Sequence, residues 1–561
     1  MCGILFLLKS DISQEDIEIT KTMFNNISQR GPDSKILEID ETKTRFFGFH
    51  RLSINDTSDK GMQPFKYKDT YTMCNGEIYN YTQLKEDENF YRMNSNSDCE
   101  ILPYLFEKYG FQDSIKKIDG IFAICYSTPN QTFIARDSLG VKPLFYSCTN
   151  NVFALASEAK ALEGFAMKIE EIKPGYTYII NSNSSSFTQG NVLTQSEGTS
   201  KNSSDYKSDL KIEIIPTHVF NMSESKIIEY SKSEKQLCDQ DYHLYTDEIR
   251  KKLINAVKKR MQSDRDIGCL LSGGLDSSLI AYILSQELQK QNKKLHTFSV
   301  GFFDSTDLEY ARKVSNFIDS EHHELIITHD EALKTIERII KTIETYDTTT
   351  IRASTPMFML CEWINKNFPH KVIFSGEGSD ELFCGYLYFH NAPLGENINI
   401  ESNRLLSELY KYDILRAERC TSDNGLELRE PFLDKDLVNY VSKINNKYKI
   451  PCCYLGKKER IEKYILRLTF NGILPDEIIW RKKEAFSDAV SCTKNKKRES
   501  KLWFQYIQEY IKDNYKYTES EYYKKVFDEN FTYYRPKIPL WLPRWSGDVK
   551  GEPSATILNL N

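Results

Sequence analysis

The chain opens with a cysteine that could act as a nucleophile, since the sequence begins Met1-Cys2-Gly3-Ile4. A small second residue favours removal of the initiator methionine, which leaves a free α-amine on the residue that carries the thiol. This amine has a pKa of about 7.7–8.0, so near neutral pH it can act as the base that activates the thiol. The alternative is that Cys2 is only a small second residue, as in many proteins.

Charged and amide side chains in the first hundred residues could bind an α-amino acid. Arg51 offers a planar fork for the carboxylate, and Asp98, together with Glu77, offers negative charge for the ammonium group. Asn75 and the backbone N–H of Gly76 could hold the oxyanion of a tetrahedral intermediate. Each has a simpler alternative, because Asn75-Gly76 is also typical of a hairpin turn and Arg51 and Asp98 could be surface charges.

Together these residues resemble the class II glutamine amidotransferase domain, in which the N-terminal cysteine is the nucleophile. The resemblance runs from Cys2 to about Glu163 and includes, in order, Arg30-Gly31-Pro32-Asp33, Asp119-Gly120-Ile121-Phe122-Ala123, Ala135-Arg136-Asp137, Gly140-Val141-Lys142-Pro143-Leu144 and Ala156-Ser157-Glu158. It implies that Cys2 is the nucleophile, that its own amine is the base, and that Asn75 and Gly76 form the oxyanion hole. It also implies glutamine contacts from Arg51, Leu52, Ser53, Ile54, Asn55, Asn75, Gly76, Glu77 and Asp98.

Two glycine-rich turns in the second half could bind phosphate. Ser272-Gly273-Gly274-Leu275-Asp276-Ser277-Ser278 lies between a predicted strand and a predicted helix, so backbone N–H groups and a helix N-terminus can face a phosphate. It lacks the Gly-Lys-Ser/Thr ending of a Walker A loop and could be purely structural. Phe374-Ser375-Gly376-Glu377-Gly378-Ser379-Asp380-Glu381 adds three acids. Acids beside a phosphate need a cation such as Mg²⁺, with Asp276 and Asp380 as candidate ligands, although the second turn could be only an acidic helix start.

The first of these turns resembles the pyrophosphate-binding loop of enzymes that cleave ATP to AMP and pyrophosphate. Further segments extend the resemblance to the asparagine synthetase family, over roughly residues 2–180 and 242–490. These segments are Gly425-Leu426-Glu427-Leu428-Arg429, Pro431-Phe432-Leu433-Asp434 and Arg481-Lys482-Lys483-Glu484-Ala485-Phe486-Ser487-Asp488. The family implies synthesis of asparagine from aspartate and ATP, with ammonia released from glutamine.

The same resemblance implies roles for individual residues. The implied ATP contacts are Leu271, Ser272, Gly273, Gly274, Asp276, Ser277, Val300, Ser375 and Gly376. Asp276 and Asp380 would hold Mg²⁺, and Glu377 would help to form a β-aspartyl-AMP intermediate. Lys483 would neutralise negative charge on that intermediate, a task that suits lysine as a mobile point charge.

Three features depart from the family pattern. Glu430 stands before Pro431, where the family usually has an apolar residue, and it could weaken the hold of Arg429 on an anion. Ala489 stands where glycine is usual and would strain a backbone of positive φ. The segment 181–208 is unusually rich in Ser and Asn. Two other functions stay open: a relative such as a β-lactam-forming synthetase, and a catalytically silent amino-acid or nucleotide sensor.

The elements that must position these residues change character along the chain. The first part alternates short apolar strands with amphipathic helices, which with the resemblance predicts an α+β N-terminal-nucleophile sandwich of two β-sheets between helices. Strands alternating with helices after residue 242 predict an α/β parallel-sheet domain of the ATP-pyrophosphatase type with a helical C-terminal part. The predicted boundaries are a glutaminase domain at 2–180, a polar linker or insertion at 181–241, a synthetase domain at 242–535 and a tail at 536–561.

Composition limits the partners and the compartment. The formal net charge of −6 argues against a nucleic-acid partner, and the absence of a long apolar run argues against a membrane. The thirteen cysteines form no C-x-x-C pair, and the N-terminus shows no signal peptide, so we expect a reducing, cytoplasmic location. The expected partners are the small molecules glutamine, aspartate and ATP. The sequence does not fix the oligomeric state, and a homodimer is among the states that it allows.

Overall fold

The computed structural model describes residues 1–91, 93–149, 152–165, 168–181, 212–219, 239–303, 305–393, 397–453, 460–483, 501–536 and 543–545. The chain divides into two compact units. The first unit comprises Met1–Asn221, Ser422–Leu426 and Glu529–Pro536. The second unit comprises Met222–Thr421, Glu427–Asp528 and Lys537–Asn561.

The first unit combines twelve described strands with four described α-helices. In chain order they are β1 (Gly3–Lys9), α1 (Gln14–Asn25), β2 (Ser34–Ile39), β3 (Arg45–Arg51), β4 (Phe65–Tyr67), β5 (Thr70–Ile78), α2 (Tyr81–Asp87), α3 (Ile101–Tyr109), α4 (Phe111–Lys117), β6 (Gly120–Ser127), β7 (Gln131–Arg136), β8 (Phe145–Cys148), β9 (Val152–Ala156), β10 (Ile169–Glu171), β11 (Tyr176–Asn181) and β12 (Ile212–Pro216).

These strands form two antiparallel sheets that enclose a common core. The first has the order β10-β8-β9-β1-β3-β2, and the second has the order β12-β11-β7-β6-β5-β4. Phe6 and Phe47 of the first sheet and Met73 and Cys125 of the second belong to one buried cluster. Helices α3 and α4 pack on the other face of the second sheet, and Phe24 of α1 stacks on His50 of β3. The predicted sandwich of two sheets between helices is confirmed.

Two further stretches of the first unit belong to its second sheet. Asn75 and Gly76 do not form a hairpin turn, because they continue β5 and pair with Ala123 and Phe122 of β6. Glycine is required there, since a Cβ at Gly76 would overlap the carbonyl oxygen of Ile121. Within the predicted linker 181–241, β12 pairs with β11 and so extends the sheet of the first unit past residue 180.

The second unit alternates helices with strands. Its elements are α5 (Asp239–Lys259), β13 (Ile267–Leu270), α6 (Leu275–Gln289), β14 (His296–Gly301), α7 (Thr306–Ile318), β15 (Glu321–Ile326), α8 (His329–Ile343), α9 (Thr348–Asn367), β16 (Val372–Phe374), α10 (Ser379–Leu382), α11 (Ile398–Glu408), α12 (Asp413–Ser422), β17 (Glu427–Arg429), α13 (Lys435–Val441), β18 (Cys452–Cys453), β19 (Arg460–Ile461), α14 (Tyr464–Thr469), α15 (Asp476–Ile479), α16 (Trp503–Tyr515) and α17 (Glu519–Asn530).

The main sheet of this unit is parallel, as predicted, with the order β15-β14-β13-β16-β17. Both glycine-rich turns leave neighbouring strands at their carboxyl ends, one after β13 and one after β16. Parallel sheets bind their ligands at this edge, and the topology therefore brings the two turns together. Among the described residues, no helix has both the length and the apolar character needed to cross a membrane.

Candidate active sites

The first candidate site surrounds Cys2, which immediately precedes β1. The backbone nitrogen of Cys2 donates to Asn75 Oδ1 at 3.0 Å, and Cys2 Sγ lies 3.7 Å from the carbonyl oxygen of Leu52. Asn75 is fully buried, and its Nδ2 has no hydrogen-bond partner among the described residues. A buried donor without a partner is costly. The Asn75 amide therefore holds the Cys2 main chain with one end and keeps the other available for a ligand oxygen.

Residues from two of the resemblance motifs fix the main chain around Cys2. Arg30 Nε donates to the carbonyl oxygen of Cys2 at 2.9 Å, and its Nη1 donates to Glu158 Oε1 at 2.7 Å. Both Arg30 and Glu158 are buried. The backbone nitrogen of Ile4 donates to Ser157 Oγ at 2.9 Å. The sequence pattern alone indicates no role for Arg30, Ser157 or Glu158, and the geometry makes them positioning residues for Cys2.

A buried guanidinium lies at the end of β3, where the sequence predicts a binding group for the substrate carboxylate. Arg51 Nη1 donates to the carbonyl oxygen of Ser58 at 2.5 Å, and its Nη2 donates to that of Asp56. Both acceptors are carbonyl oxygens that orient the fork, and the nearby Asp56 carboxylate also interacts with its charge. The intervening loop residues Leu52, Ser53 and Ile54 are buried as well, and the Ser53 nitrogen donates to Asp33 Oδ2 at 2.8 Å.

Two carboxylates meet at one amide in the same unit. Asn55 Nδ2 donates to Glu77 Oε2 at 2.7 Å and to Asp98 Oδ1 at 3.3 Å. The second oxygen of Asp98 accepts from the Ile78 nitrogen at 2.6 Å. Glu77 and Asp98 are both buried. This arrangement concentrates negative charge, as recognition of a substrate ammonium group requires.

The second candidate site is a cavity of about 280 Å³ at the carboxyl edge of the parallel sheet. The predicted residues that line it are Leu271, Ser272, Gly274, Asp276, Ser277, Val300, Ser375, Gly376, Glu377, Asp380 and Lys483. Gly273 lies in the turn outside the lining; its φ of +70° and the overlap that a Cβ would make with the Ala311 nitrogen explain the glycine. Helix α6 begins at Leu275 with no side-chain cap on its N-terminus, which leaves N–H groups for a phosphate.

A chain of ion pairs joins the two glycine-rich turns. Lys463 Nζ lies 2.6 Å from Asp276 Oδ2 and 2.6 Å from Asp380 Oδ1. Lys483 Nζ contacts both oxygens of Asp380, at 2.6 and 2.5 Å. Ser379 Oγ also donates to Asp276 Oδ1 at 2.6 Å. Two carboxylates that are 104 positions apart in the sequence therefore converge on one ammonium group.

This carboxylate pair also fits a divalent cation. Because each oxygen lies 2.6 Å from Lys463 Nζ, the two oxygens are at most about 5.2 Å apart. Mg²⁺ in proteins takes one or two carboxylates and completes its shell with water and phosphate oxygens. Asp276 and Asp380 supply such a donor pair within the cavity, and Lys463 provides positive charge between them.

Acidic and basic groups from α10 and α12 form a second polar cluster in the cavity wall. Arg416 Nη2 lies 2.9 Å from Glu377 Oε1 and 2.8 Å from Asp413 Oδ1. The Tyr386 hydroxyl lies 2.5 Å from Glu381 Oε1 and 2.8 Å from Asp413 Oδ2. A hydroxyl has a single proton to donate, so contact with both carboxyl groups favours a protonated form of one of them.

The pKa values in this cavity diverge. Burial, reinforced by Asp413 and Asp380, raises the pKa of Glu381 to about 8, so this carboxyl is the protonated partner of Tyr386 near neutral pH. Burial also raises the pKa of Glu377, against the opposing charge of Arg416. Burial alone would raise the pKa of Asp380, but Lys463 and Lys483 outweigh it and hold that pKa well below its usual range. Divergent pKa values among neighbouring acids are typical of active sites.

Glu381 lines the cavity and belongs to the second glycine-rich turn. Four other lining residues were not predicted from the sequence: Lys463, Arg416, Asp413 and Tyr386. Asp413 and Arg416 stand three positions apart in a helix, a spacing that is also typical of a solvated surface pair. Lys463 lies in no motif; it adopts a positive φ of 56° and is buried. Only the tertiary fold identifies these residues as part of the site.

The departures from the family pattern have different outcomes. Arg429 is fully buried and bonds Glu427 Oε1 at 2.8 Å and the carbonyl oxygens of Arg260 and Gln262. Neither Arg429 nor the buried Glu430 is among the residues that line this cavity, and the effect of Glu430 on an anion stays a prediction. Ala489, nearly all of the segment 181–208 and most of the tail 536–561 lie outside the described residues.

Comparison with known proteins covers the whole chain. Residues 1–188 match the family model described as glutamine amidotransferase domain, and residues 248–404 and 395–541 match the one described as asparagine synthase. The chain is 37% identical to the glutamine-hydrolysing asparagine synthetase of Mus musculus, covering 100% of this chain and 98% of that protein. It is 36% identical to the Homo sapiens counterpart with the same coverage. It is also 37% identical to a probable asparagine synthetase of Acanthamoeba polyphaga mimivirus, over the full length of both.

Proposed function

Because the chain belongs to the family of glutamine-hydrolysing asparagine synthetases, we propose that its two units divide one reaction between them. The overall reaction forms asparagine from aspartate, ATP and glutamine, with glutamate, AMP and pyrophosphate as the other products. The first unit releases ammonia from glutamine, and the second unit activates aspartate and transfers the ammonia to it. The proposal concerns which residues carry each half.

In the first half, the Cys2 thiol is the nucleophile. Removal of Met1 exposes the Cys2 nitrogen as an amine, which accepts the thiol proton and passes it to the departing ammonia. The resulting glutamyl thioester is hydrolysed by water to glutamate. The free Nδ2 of Asn75 and the Gly76 N–H stabilise the oxyanion of each tetrahedral intermediate. Arg51 binds the glutamine carboxylate, and Glu77 and Asp98 bind its ammonium group.

In the second half, the β-carboxylate of aspartate attacks the α-phosphorus of ATP, and pyrophosphate leaves. Ser272, Gly274 and Ser277, with the N-terminus of α6, bind the departing pyrophosphate, while Leu271 and Val300 flank the adenine. Ammonia then attacks the activated carbonyl carbon, and AMP leaves. Glu377 assists formation of the adenylate, and Lys483 neutralises its negative charge.

Asp276 and Asp380 would hold Mg²⁺, which would supply positive charge to offset the phosphate charges of ATP. The ammonium group of Lys463 also contributes positive charge at this site, since it lies 2.6 Å from both carboxylates. We further propose that Arg416 and the protonated Glu381 help to orient the aspartate.

The observation that carries the synthetase half is the convergence of two distant motifs. Asp276 follows β13 and Asp380 follows β16, and Lys463 joins them at 2.6 Å within one cavity. A catalytically silent protein has no need to hold two acids and two lysines at a glycine-rich turn. Burying paired charges carries a desolvation penalty, so such pairs seldom increase stability.

A paired substitution tests the division of labour. Cys2→Ala is expected to abolish glutamine hydrolysis and glutamine-dependent asparagine synthesis while synthesis from added ammonium persists. Lys483→Ala is expected to do the reverse, so that hydrolysis persists while asparagine and AMP are lost. Matched controls are Cys148→Ala, which removes a partly exposed thiol of β8, and Lys313→Ala, which removes an exposed ion pair with Glu477. Loss of both activities in either test variant would contradict the division.

We also propose a cytoplasmic location and a homodimeric assembly. The cysteines whose side chains are described are free thiols, Cys74, Cys99 and Cys269 among them, which suits a reducing compartment. Sedimentation velocity of the purified chain measures the assembly directly, and a single species with the mass of one chain would refute the dimer.

A further inference from the structure

Two histidines and a glutamate meet at the edge of the parallel sheet opposite to the catalytic cavity. His296 begins β14, and Glu321 begins β15, two positions before His323. His296 Nδ1 lies 3.1 Å from His323 Nε2. Glu321 places one oxygen 3.5 Å from His296 Nε2 and the other 3.5 Å from His323 Nε2. The register explains the meeting, since parallel pairing sets His296 beside Glu321 and the alternation of side chains returns His323 to the same face.

These separations are close to those in a tetrahedral metal site. Zinc binds imidazole nitrogen at about 2.0–2.1 Å and carboxylate oxygen at about 2.0–2.2 Å, so neighbouring ligand atoms lie roughly 3.3 Å apart. The shortest separations between the three side chains are near that value, at 3.1 Å between the two rings and 3.5 Å from each ring to Glu321, although they do not all involve the same atom of each residue. One ligand atom from each residue can be chosen so that all three lie within 4.8 Å of one another. Small side-chain rotations therefore suffice to bring them onto one ion.

The surroundings suit a site that an ion can enter. The side chains of His296, Glu321 and His323 are 26%, 54% and 18% exposed, so one side of the cluster is open to solvent. Its other side rests on aromatic rings, with Phe298 5.3 Å and Phe368 4.4 Å from the His323 ring between centroids. Three protein ligands with an open side leave room for water as the fourth ligand.

A third histidine adds an independent sign of an incomplete polar site. The His370 ring lies 4.3 Å from that of His296 between centroids. His370 is only 4% exposed, and its Nδ1 has no hydrogen-bond partner among the described residues. A buried ring nitrogen without a hydrogen-bond partner is uncommon, because no new hydrogen bond offsets the free-energy cost of removing it from water. An ion on the neighbouring histidine would change the electrostatic environment of this nitrogen.

From this geometry we infer that His296, Glu321 and His323 form a binding site for one divalent transition-metal ion of the type that prefers imidazole, with Zn²⁺ as its representative. Two imidazoles and one carboxylate favour Zn²⁺, Co²⁺ or Ni²⁺ over Mg²⁺, which prefers an all-oxygen shell. The site is separate from the catalytic cavity: Phe298, Ser299 and Val300 of β14 line that cavity, whereas His296 does not. This inference does not depend on the proposed function.

The test is titration of the full-length chain with Co²⁺ alone, followed by visible absorption and by competition with Zn²⁺. One equivalent of Co²⁺ is expected to bind with d–d absorption and without a thiolate-to-cobalt charge-transfer band. His323→Ala is expected to weaken the affinity by about 100-fold, and Glu321→Gln by about 10-fold. His322→Ala is the matched control; it removes the adjacent histidine, which bonds Thr297 and lies beside Glu324 instead, and should leave the affinity unchanged.

Thermal unfolding of the same proteins provides a second reading. Saturating Zn²⁺ is expected to raise the Tm of the wild-type chain by on the order of 5 °C and to leave His323→Ala unshifted. Because Glu321 is exposed, Glu321→Gln should fold normally, so misfolding would not explain weaker metal binding by this variant. Equal Co²⁺ affinity in all four proteins, no saturable binding to the wild type, or a thiolate charge-transfer band for the first equivalent would each overturn the inference.

Discussion

Replacing Lys463 with methionine is expected to destabilise the second unit in a way that Mg²⁺ reverses. Methionine keeps much of the side-chain length and can occupy the same backbone conformation, but it removes the ammonium group. Asp276 and Asp380 then face each other without the cation that lies 2.6 Å from both. The variant therefore isolates the charge of Lys463 from its volume.

The size of the effect follows from the geometry. Two carboxylate oxygens no more than about 5.2 Å apart repel each other by about 3 kcal/mol or more at an effective dielectric constant of about 20. Lys483, which still contacts Asp380 in the variant, offsets part of this repulsion. Lys463 is 2% exposed, and the two acids are 22% and 24% exposed, so water screens the repulsion only in part. Breaking a buried ion pair from one side commonly costs about 3–5 kcal/mol. We therefore expect a loss of roughly 3 kcal/mol, or a fall in Tm of roughly 5–10 °C.

The assay is thermal unfolding of wild type and variant with and without Mg²⁺, in the absence of nucleotide. Mg²⁺ is expected to recover at least half of the lost stability in Lys463→Met, because a cation on Asp276 and Asp380 replaces the missing charge. The same addition should shift the wild type much less. Lys313→Met, which breaks an exposed pair with Glu477, should stay within about 0.5 kcal/mol of wild type.

Two results would refute this reasoning. Wild-type stability of Lys463→Met would show that the two carboxylates do not need the lysine charge. An equal Mg²⁺ shift in both proteins would show that the ion does not bind between Asp276 and Asp380.

Three further predictions concern individual groups. Asn75→Ala removes the uncommitted Nδ2 donor together with the Oδ1 acceptor of the Cys2 nitrogen. Steady-state glutaminase kinetics should show kcat reduced by about 10²–10³ with KM little changed; an unchanged kcat would exclude Asn75 from the oxyanion hole. Gly76→Ala forces a Cβ against the carbonyl oxygen of Ile121, so calorimetry should show the first unit destabilised by roughly 2 kcal/mol or more, and a wild-type melting curve would contradict the packing. Glu381 has a folded pKa of about 8 against a usual 4.5, so it binds more protons folded than unfolded, and its contribution to stability falls between pH 4.5 and 8. Glu381→Gln should remove this pH-dependent loss of stability. The difference in Tm between the variant and the wild type should therefore shift by several degrees in favour of the variant from pH 5 to pH 8.5. A Tm difference that does not change with pH would disprove the raised pKa.

Local sequence patterns predicted the fold class of both units. Alternating strands and helices after residue 242 predicted the parallel sheet, and the glycine-rich turns were placed correctly at its carboxyl edge. The strand boundaries were less certain, since Asn75-Gly76 is a typical turn pair that here continues β5. Pairing with β6 and close packing against Ile121 override that local preference.

What the sequence could not predict depends on contacts between distant residues. Lys463 joins the site through a backbone of positive φ that no motif indicates. Arg30 and Glu158 form a buried pair across 128 positions and hold Cys2, although their motifs alone gave them no role. The histidine cluster arises from the register of β14 and β15, and sequence spacing alone did not single it out.

The most direct test of the central claim is one incubation of the purified chain with glutamine, aspartate, ATP and Mg²⁺, in which asparagine, glutamate, AMP and pyrophosphate are measured together. The expected result is formation of all four, with asparagine, AMP and pyrophosphate in equal amounts and dependent on aspartate. Glutamate without asparagine or AMP would contradict the assignment of the second unit. Formation of ADP in place of AMP would contradict the adenylate route.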